Sequence, residues 1–201
     1  MIMRDISKRI REFEELGKKG YTTFDFRPYL DLDVFATIET ELAFCISTAN
    51  SSAKSGLIFQ KKIENIDLTN LSNDGLERYL KKSGVRFHRK KAKYIIEAIK
   101  KIDKIFLALE LNSQSAREFL VKEFKGLGLK EASHFLRNVG RKDVAIVDRH
   151  IARWIGFRGK IQKNTYFDLE RLLAKKASKM GYDLATLDLL IWSEATGLVL
   201  K

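Results

Sequence analysis

The stretch that decides the fold is residues 119–154, which read FLVKEFKGLGLKEASHFLRNVGRKDVAIVDRHIARW. A helical run ends at Gly126-Leu127-Gly128, and a second helix begins near Lys130 and ends at Gly140. Two glycines one residue apart let the backbone turn tightly and come close to a phosphate, which a side chain would prevent. The amides that follow lie at a helix N-terminus, where the helix dipole favours an anion. The sequence therefore predicts a helix-hairpin-helix over about residues 115–140, a motif that binds the DNA backbone without reading base sequence.

Helical periodicity dominates the rest of the chain and predicts an all-α fold of about ten helices. We expect a single domain over residues 1–201, made of two helical subdomains, with the N- and C-terminal helices sharing one lobe. Apolar stripes predict a first helix that ends at Gly17 and Gly20, a helix over 92–106, and a helix that begins at Thr165 and ends at Gly181. Further helices are expected at 33–48, 53–64, 73–83, 115–124, 130–139, 149–156 and 184–195. The only plausible extended pieces are 21–26 and 144–147.

Composition excludes several classes of protein. The chain has 201 residues, of which 45% are hydrophobic, and this content is too high for a disordered basic tail. A single cysteine cannot form an internal disulfide, a Cys-rich zinc site or an iron–sulfur cluster. The longest stretch without Asp, Glu, Lys or Arg, residues 42–53, is too short to span a bilayer. We expect a soluble, cytoplasmic, monomeric globular protein without a membrane segment.

The net charge of +12 is concentrated in two segments. Residues 81–104 carry ten Lys/Arg and two acidic residues, and residues 122–163 carry eleven Lys/Arg and four acidic residues. Such a surface is typical of a polyanion partner, because binding to phosphates releases condensed counterions. Charge alone also allows solvated helix faces or an anionic membrane surface. No apolar opposing stripe or lipidation motif accompanies these segments, so the pattern favours nucleic acid.

Lys130 and Asp148 each allow two interpretations. Lys130 would contact a phosphate from the first turn of its helix, or it would act as an amine nucleophile. A helix N-terminus disfavours an ammonium ion and favours the lone pair, which can attack a sugar C1′ and form a Schiff base. Asp148 would cap the helix that follows it. A carboxylate there would also stabilise positive charge on a sugar or help to activate the lysine.

The motif around these two residues resembles a known superfamily. Gly126-Leu-Gly-Leu-Lys130, followed by Val147-Asp-Arg-His-Ile151, is similar to the helix-hairpin-helix and Gly/Pro–Asp motif of DNA base-excision glycosylases. The resemblance implies that Lys130 is the nucleophile of a bifunctional glycosylase/lyase and that Asp148 is the second catalytic residue. Their 18-residue spacing is similar to that of the family. Lys125 stands where the family often has a proline, which removes some rigidity and leaves the Lys/Asp pair intact.

Within the superfamily, the chain resembles the compact archaeal-type second family of 8-oxoguanine DNA glycosylase/lyases. The single Cys45 separates it from the iron–sulfur branch, and its length separates it from the larger enzymes that add an N-terminal β domain. The resemblance covers about residues 30–201. Its matching segments are 47–53 (STANSSA), 85–91 (VRFHRKK), the Lys130/Asp148 motif and 192–201 (WSEATGLVLK).

The resemblance implies a base pocket that contains Lys201 and Trp192, and the position of His134 makes it a third candidate for this pocket. In that family the chain stops at a lysine whose terminal carboxylate lies in the pocket. Because 8-oxoguanine carries N7–H where guanine has a lone pair, an acceptor there favours the lesion and repels the normal base. Trp192 would stack on the flipped base, or it would serve core packing. His134, one helical turn after Lys130, would face the same pocket or be a hydrogen-bonded structural histidine.

The expected DNA-binding residues are Gly126 and Gly128 in the hairpin, together with Arg86, Phe87 and Asn50. Phe87 would fill the gap left in the duplex, or it would anchor the 92–106 helix in the core. Asn50 would contact DNA, or it would cap a helix.

These expectations combine into one function. We expect an enzyme that binds double-stranded DNA containing oxidised guanine, flips out and excises 8-oxoguanine, and cleaves the strand by β-elimination. As a DNA-binding enzyme it would associate with the nucleoid. This mechanism requires no metal and no organic cofactor. The alternatives are a glycosylase of the same fold that acts on another lesion, and a helix-hairpin-helix module that binds DNA without catalysis.

Overall fold

The structure is a computed structural model that describes residues 2–201, and it is mostly helical, as predicted. The elements in chain order are α1 (Ile2–Lys19), β1 (Tyr21–Asp25), β2 (Asp33–Thr37), α2 (Ile38–Thr48), α3 (Ala53–Ile63), α4 (Asn73–Lys82), α5 (His88–Ile99), α6 (Asp103–Leu109), α7 (Ser113–Glu123), α8 (Leu129–Asn138), α9 (Arg149–Ile155), α10 (Lys163–Met180) and α11 (Leu184–Thr196). Among these residues, no helix is long and apolar enough to cross a membrane.

A small antiparallel sheet accompanies the predicted helices. β1 pairs with β2, with Tyr21 opposite Thr37 and Asp25 opposite Asp33. The first extended piece was predicted, but residues 33–37 were expected to open a helix. Val34 and Ala36 are buried on alternate positions, which is the periodicity of a strand. The second predicted extended piece, 144–147, forms no strand.

Three helix boundaries also differ from the expectations. Gly17 lies inside α1, and a Cβ there would come within 2.0 Å of the Val139 carbonyl oxygen, so this glycine permits close packing and does not end the helix. The helix expected over 92–106 is split into α5 and α6 by a turn at residues 100–102. α10 begins at Lys163, before the predicted cap Thr165, and has no side-chain cap.

Over residues 2–201, the buried hydrophobic side chains form two clusters. The larger one contains residues from α1 to α8 and takes in Val199 and Leu200 from the end of the chain. The smaller one combines residues 145–152 with the inner faces of α10 and α11. Leu190 of α11 packs against both clusters, and α11 also packs against α1. The segment that carries Asp148 therefore lies where the two clusters meet.

The helix-hairpin-helix consists of α7, the turn at residues 124–128, and α8. Gly126 has φ +93°, and a Cβ on it would lie 2.8 Å from Cδ2 of Tyr94. Both facts require glycine at this position. Gly128 is the N-cap residue of α8 and provides no side-chain cap, so the amides of the first turn are left free for another acceptor.

Candidate active site

A cavity of about 1360 Å³ opens between α8, the segment before α9 and the end of the chain. It brings together seven of the predicted site residues: Asn50, Arg86, Lys130, His134, Asp148, Trp192 and Lys201. The hairpin glycines and Phe87 do not line it. The volume exceeds what one nucleobase needs, so the cavity has room for a flipped base together with its sugar and flanking phosphates.

Lys130 lies in the first turn of α8 with its side chain directed to the cavity. The side chain is 39% exposed, and Nζ lies 3.5 Å from Oε1 of Glu131. The amine is therefore accessible to a molecule bound in the cavity while its stem is held by the helix.

Asp148 is the N-cap residue of α9, as the first of the two interpretations predicts. The His150 amide donates to its carboxylate at 2.7 Å and the Ile151 amide donates at 3.1 Å. Both bonds end on Oδ1, and the residue lines the cavity. Capping therefore fixes the carboxylate through one of its two oxygens.

The segment that leads to Asp148 has no regular secondary structure, and side chains hold its backbone. The Ala145 amide donates to Glu170 at 3.1 Å, and the Ile146 amide donates to Asp188 at 3.1 Å. The Tyr166 hydroxyl donates to the Ala145 carbonyl at 2.8 Å and accepts from the Val147 amide at 3.3 Å. Residues 145–147 are thus fixed in place although they pair with no strand.

Two arginines hold Glu170 and Asp188, the acidic residues that accept from this backbone. Arg117 forms a two-pronged ion pair with Glu170, at 2.7 and 2.8 Å, and Arg137 donates to Asp188 at 2.8 Å. All four side chains are buried. Burial raises the pKa of the Asp188 carboxyl to about 6, against the opposing attraction of Arg137.

His134 is buried beside the cavity and packs edge-on against Phe44, with ring centroids 5.3 Å apart. Burial, followed by the positive charges of Arg137 and Lys130, holds the pKa of the imidazole well below its usual range. The ring is therefore neutral at pH 7, and within residues 2–201 its Nε2 has no hydrogen-bond partner. Trp192 is half-buried on the same cavity wall and packs against the larger hydrophobic cluster, so it takes the packing role and also faces the cavity.

Lys201 lines the cavity in a way that the sequence does not reveal. Its ammonium group is buried and contacts Glu41, with a further hydrogen bond of 2.7 Å to Oε1 of Gln60. Nζ also lies 4.0 Å from the ring centroid of Phe24 and 4.3 Å from that of Phe44. Burial lowers the pKa of this amine to about 8.

Two alternative interpretations on the proposed DNA-binding side are wrong. Phe87 is 58% exposed with φ +57°, so it does not anchor a helix in the core. Asn50 is exposed with φ +53°, and the cap of α3 is Ser52, whose hydroxyl accepts from the Ser55 amide at 3.1 Å. Left-handed backbone is uncommon at non-glycine residues, and here it occurs at two exposed ones.

Ser51 and Lys91 join the two turns that carry Asn50 and Phe87, and sequence reasoning missed both. The Ser51 hydroxyl accepts from the Arg86 amide at 2.9 Å and from Lys91 Nζ at 3.0 Å. Lys91 also donates to the Ser47 carbonyl at 2.7 Å. The sequence feature that could have indicated burial of Lys91 is its position, one residue before Ala92 at the start of the apolar stripe of its helix.

Comparisons with known proteins show which family the chain resembles. Residues 6–182 match the family Ogg-HhH, described as 8-oxoguanine DNA glycosylase. The chain is 40% identical to a protein of Aquifex aeolicus named 8-oxoguanine DNA glycosylase/AP lyase, over 100% of this chain and 94% of that one. A protein of the same name from Methanocaldococcus jannaschii is 42% identical over 98% and 91% of the two chains.

Solved structures show the same relationship. The Methanocaldococcus jannaschii 8-oxoguanine glycosylase/lyase in complex with a 15mer DNA containing 8-oxoguanine superposes with a TM-score of 0.83 at 38% identity, covering 98% of this chain and 91% of that one. The 8-oxoguanine DNA glycosylase of Thermotoga maritima gives the same TM-score at 33% identity and the same coverage.

Proposed function

Because the chain belongs to the 8-oxoguanine DNA glycosylase family, we propose that it excises 8-oxoguanine from duplex DNA and then cleaves the strand at the abasic site. The observation that carries the proposal is the single cavity that brings the exposed amine of Lys130, the capped carboxylate of Asp148 and the three proposed base-pocket residues together. Two reactions follow from one nucleophile.

In the first reaction the neutral amine of Lys130 attacks C1′ of the flipped nucleotide. The bond from C1′ to the base breaks, and its electron pair leaves with the base. The base takes up the proton that the attached amine releases, so it departs as a neutral molecule. Asp148 lowers the barrier by stabilising the positive charge that develops on the sugar.

In the second reaction the amine–sugar adduct cleaves the strand. The C1′–O4′ bond opens, O4′ takes up a proton, and a protonated Schiff base forms between C1′ and Lys130. This cation acidifies the C2′–H bond, so loss of that proton expels the 3′ phosphate. The proton gained at O4′ and the proton lost from C2′ balance through solvent, and water then hydrolyses the Schiff base to free Lys130.

Recognition of the base is assigned to Trp192, His134 and Lys201. Trp192 offers a stacking surface to a base that has lost its neighbours in the duplex. Neutral His134 has a buried ring nitrogen available for a hydrogen bond. A main-chain oxygen of Lys201 accepts from N7–H of 8-oxoguanine, a hydrogen that guanine does not have.

Contact with the DNA duplex is assigned to the hairpin and to the two strained turns. Gly126 and Gly128 bring the free amides of α8 to a phosphate. Arg86 binds backbone, Phe87 fills the space of the flipped base, and Asn50 contacts the duplex beside it. All the proposed site residues come from one chain, and we propose that it acts as a single-domain monomer.

Borohydride trapping tests the proposal, because reduction of the Schiff base links enzyme and DNA covalently. The substrate is a duplex with one 8-oxoguanine opposite cytosine. We expect the wild type to excise the base and to cross-link, and Lys130→Gln to do neither. The matched control is Lys122→Gln, which removes another lysine of the same cavity wall and should still cross-link.

Three outcomes would contradict the proposal. Equal cross-linking by Lys130→Gln would remove Lys130 as the nucleophile. Binding of the duplex without excision or cross-linking by the wild type would favour a non-catalytic module. In a panel of duplexes carrying oxidised pyrimidines or alkylated purines, faster excision of one of those than of 8-oxoguanine would reassign the lesion.

A further inference from the structure

The side chain and the main chain of Lys201 lie in different environments. None of the side chain is exposed, whereas 5% of the residue as a whole is, and the residue lines the cavity. The part that faces the cavity is therefore the main chain. The main chain of Lys201 and the imidazole of His134 are neighbours in the lining of this cavity.

The ammonium group is surrounded by ligands from three different elements. Glu41 of α2 forms the ion pair, Gln60 of α3 accepts a hydrogen bond at 2.7 Å, and the ring of Phe24 from β1 lies beneath the charge at 4.0 Å. An ammonium so enclosed cannot move without losing several charge-assisted contacts at once.

Glu41 is the centre of this cluster. One oxygen, Oε2, accepts from Lys201 and from Nε2 of Gln60 at 2.9 Å. The other, Oε1, accepts from Nδ2 of Asn138 at 2.7 Å. The Glu41 side chain is completely buried, and both its oxygens are satisfied. A buried ion pair is a weak source of stability, since well-packed apolar side chains often do as well, so its value here lies in fixing a position.

We propose that Glu41 is the positioning residue for base recognition: it holds the Lys201 ammonium inside the protein and thereby fixes the Lys201 main chain at the edge of the cavity that receives the lesion base. This inference rests on the proposed function. It adds Glu41, Gln60 and Asn138, which do not line the cavity, to the residues that determine lesion specificity.

The same hydrogen-bonded chain continues toward the catalytic carboxylate. Oδ1 of Asn138 accepts from Arg137, which donates to Asp188, and Asp188 accepts from the Ile146 amide two residues before Asp148. One buried network thus holds the recognition side and the catalytic side of the cavity. A rigid arrangement of this kind favours discrimination, because a misplaced acceptor would no longer match N7–H of the lesion.

The test exploits the fact that an abasic site has no base to recognise. Single-turnover rates are measured on a duplex with 8-oxoguanine opposite cytosine and on the same duplex with an abasic site. Glu41→Gln should slow excision by about 10- to 100-fold, the usual effect of losing one charged hydrogen bond, while abasic-site cleavage changes by less than about threefold. Glu194→Gln, an exposed position on α11, is the matched control and should match the wild type.

A second variant separates positioning from folding. Glu41→Gln leaves the Lys201 ammonium buried and unpaired and so lowers thermal stability. The double variant Glu41→Gln/Lys201→Met removes both charges and should recover most of that stability. It still lacks the tether, so excision should stay slow and should fall, relative to the wild type, by more than abasic-site cleavage does.

The inference is overturned by any of three results. These are unchanged excision in Glu41→Gln, an equal fall in excision and abasic-site cleavage in the folded double variant, or excision that recovers together with stability. The wild-type arm tests the proposed function separately, because a wild type that neither excises 8-oxoguanine nor cleaves abasic DNA overturns that function and the inference with it.

Discussion

Replacing Asp148 by asparagine and by alanine separates its two roles. Both backbone bonds of the cap, from His150 at 2.7 Å and Ile151 at 3.1 Å, end on the single oxygen Oδ1. Asparagine offers one carbonyl oxygen in the same position and is as good an N-cap as aspartate. Asp148→Asn therefore keeps the cap and removes only the negative charge, whereas Asp148→Ala removes both.

The expected magnitudes differ between stability and activity. Loss of the cap in Asp148→Ala should cost about 1 kcal/mol, which lowers Tm by about 2–4 °C for a chain of this size. Asp148→Asn should leave Tm within about 1 °C of the wild type. Both variants should lose at least about 100-fold in the excision rate, because each removes the charge that stabilises the developing cation.

The assays are thermal unfolding followed by circular dichroism and single-turnover excision of 8-oxoguanine from duplex DNA. Wild-type excision by Asp148→Asn would refute the reasoning, since it would show that the residue only caps α9. A loss of activity confined to Asp148→Ala would lead to the same conclusion. The alanine variant's lower Tm serves as the internal check that the cap was removed.

Three further predictions concern the hairpin, the loop and pH. Gly126→Ala should lower the free energy of unfolding by about 1–3 kcal/mol, because φ is +93° and the new Cβ meets Tyr94. Gly128→Ala should lower it by less than about 1 kcal/mol and should weaken DNA binding instead. Thermal unfolding and DNA titration distinguish the two variants, and equal Tm values would contradict the prediction. Tyr166→Phe removes the hydroxyl that holds residues 145 and 147 and should cost about 1–2 kcal/mol with slower excision, so unchanged stability would show that the hydroxyl is not needed. Burial lowers the pKa of Lys201 to about 8, so the ammonium is present below that pH and lost above it. The ratio of the 8-oxoguanine excision rate to the abasic-site cleavage rate should therefore fall between about pH 7 and about pH 9.5. A constant ratio would contradict the prediction. Taking the ratio cancels any effect of pH that the two reactions share.

Local sequence signals predicted the helices and the hairpin because their causes are local. Periodicity, glycines at helix ends and the capping position of Asp148 all act within a few residues. The same signals failed at residues 33–37, where a five-residue alternation runs directly into the cap of α2 at Thr37. A short strand of that kind is defined by its partner β1, and pairing between separate segments is not encoded in either one alone.

The polar network of the cavity could not be predicted for the same reason. Glu41 and Lys201 are 160 residues apart, and Glu41 and Asn138 are 97 apart. Nothing near Glu41 marks it as buried, except that it directly precedes the uncharged run 42–53. That position alone does not predict burial, because Lys54, at the other end of the run, is exposed.

Part of the positive charge behind the net value of +12 is buried in the structure. Lys91 contributes to the basic segment 81–104, yet its ammonium is buried against the Ser47 carbonyl, and burial lowers its pKa to about 8. Lys201 is likewise buried against Glu41. Lys130 differs from both because 39% of its side chain is exposed and it opens onto the cavity. Of these three lysines, only Lys130 is placed to bring its amine to a molecule in the cavity, and this supports its proposed role as the nucleophile.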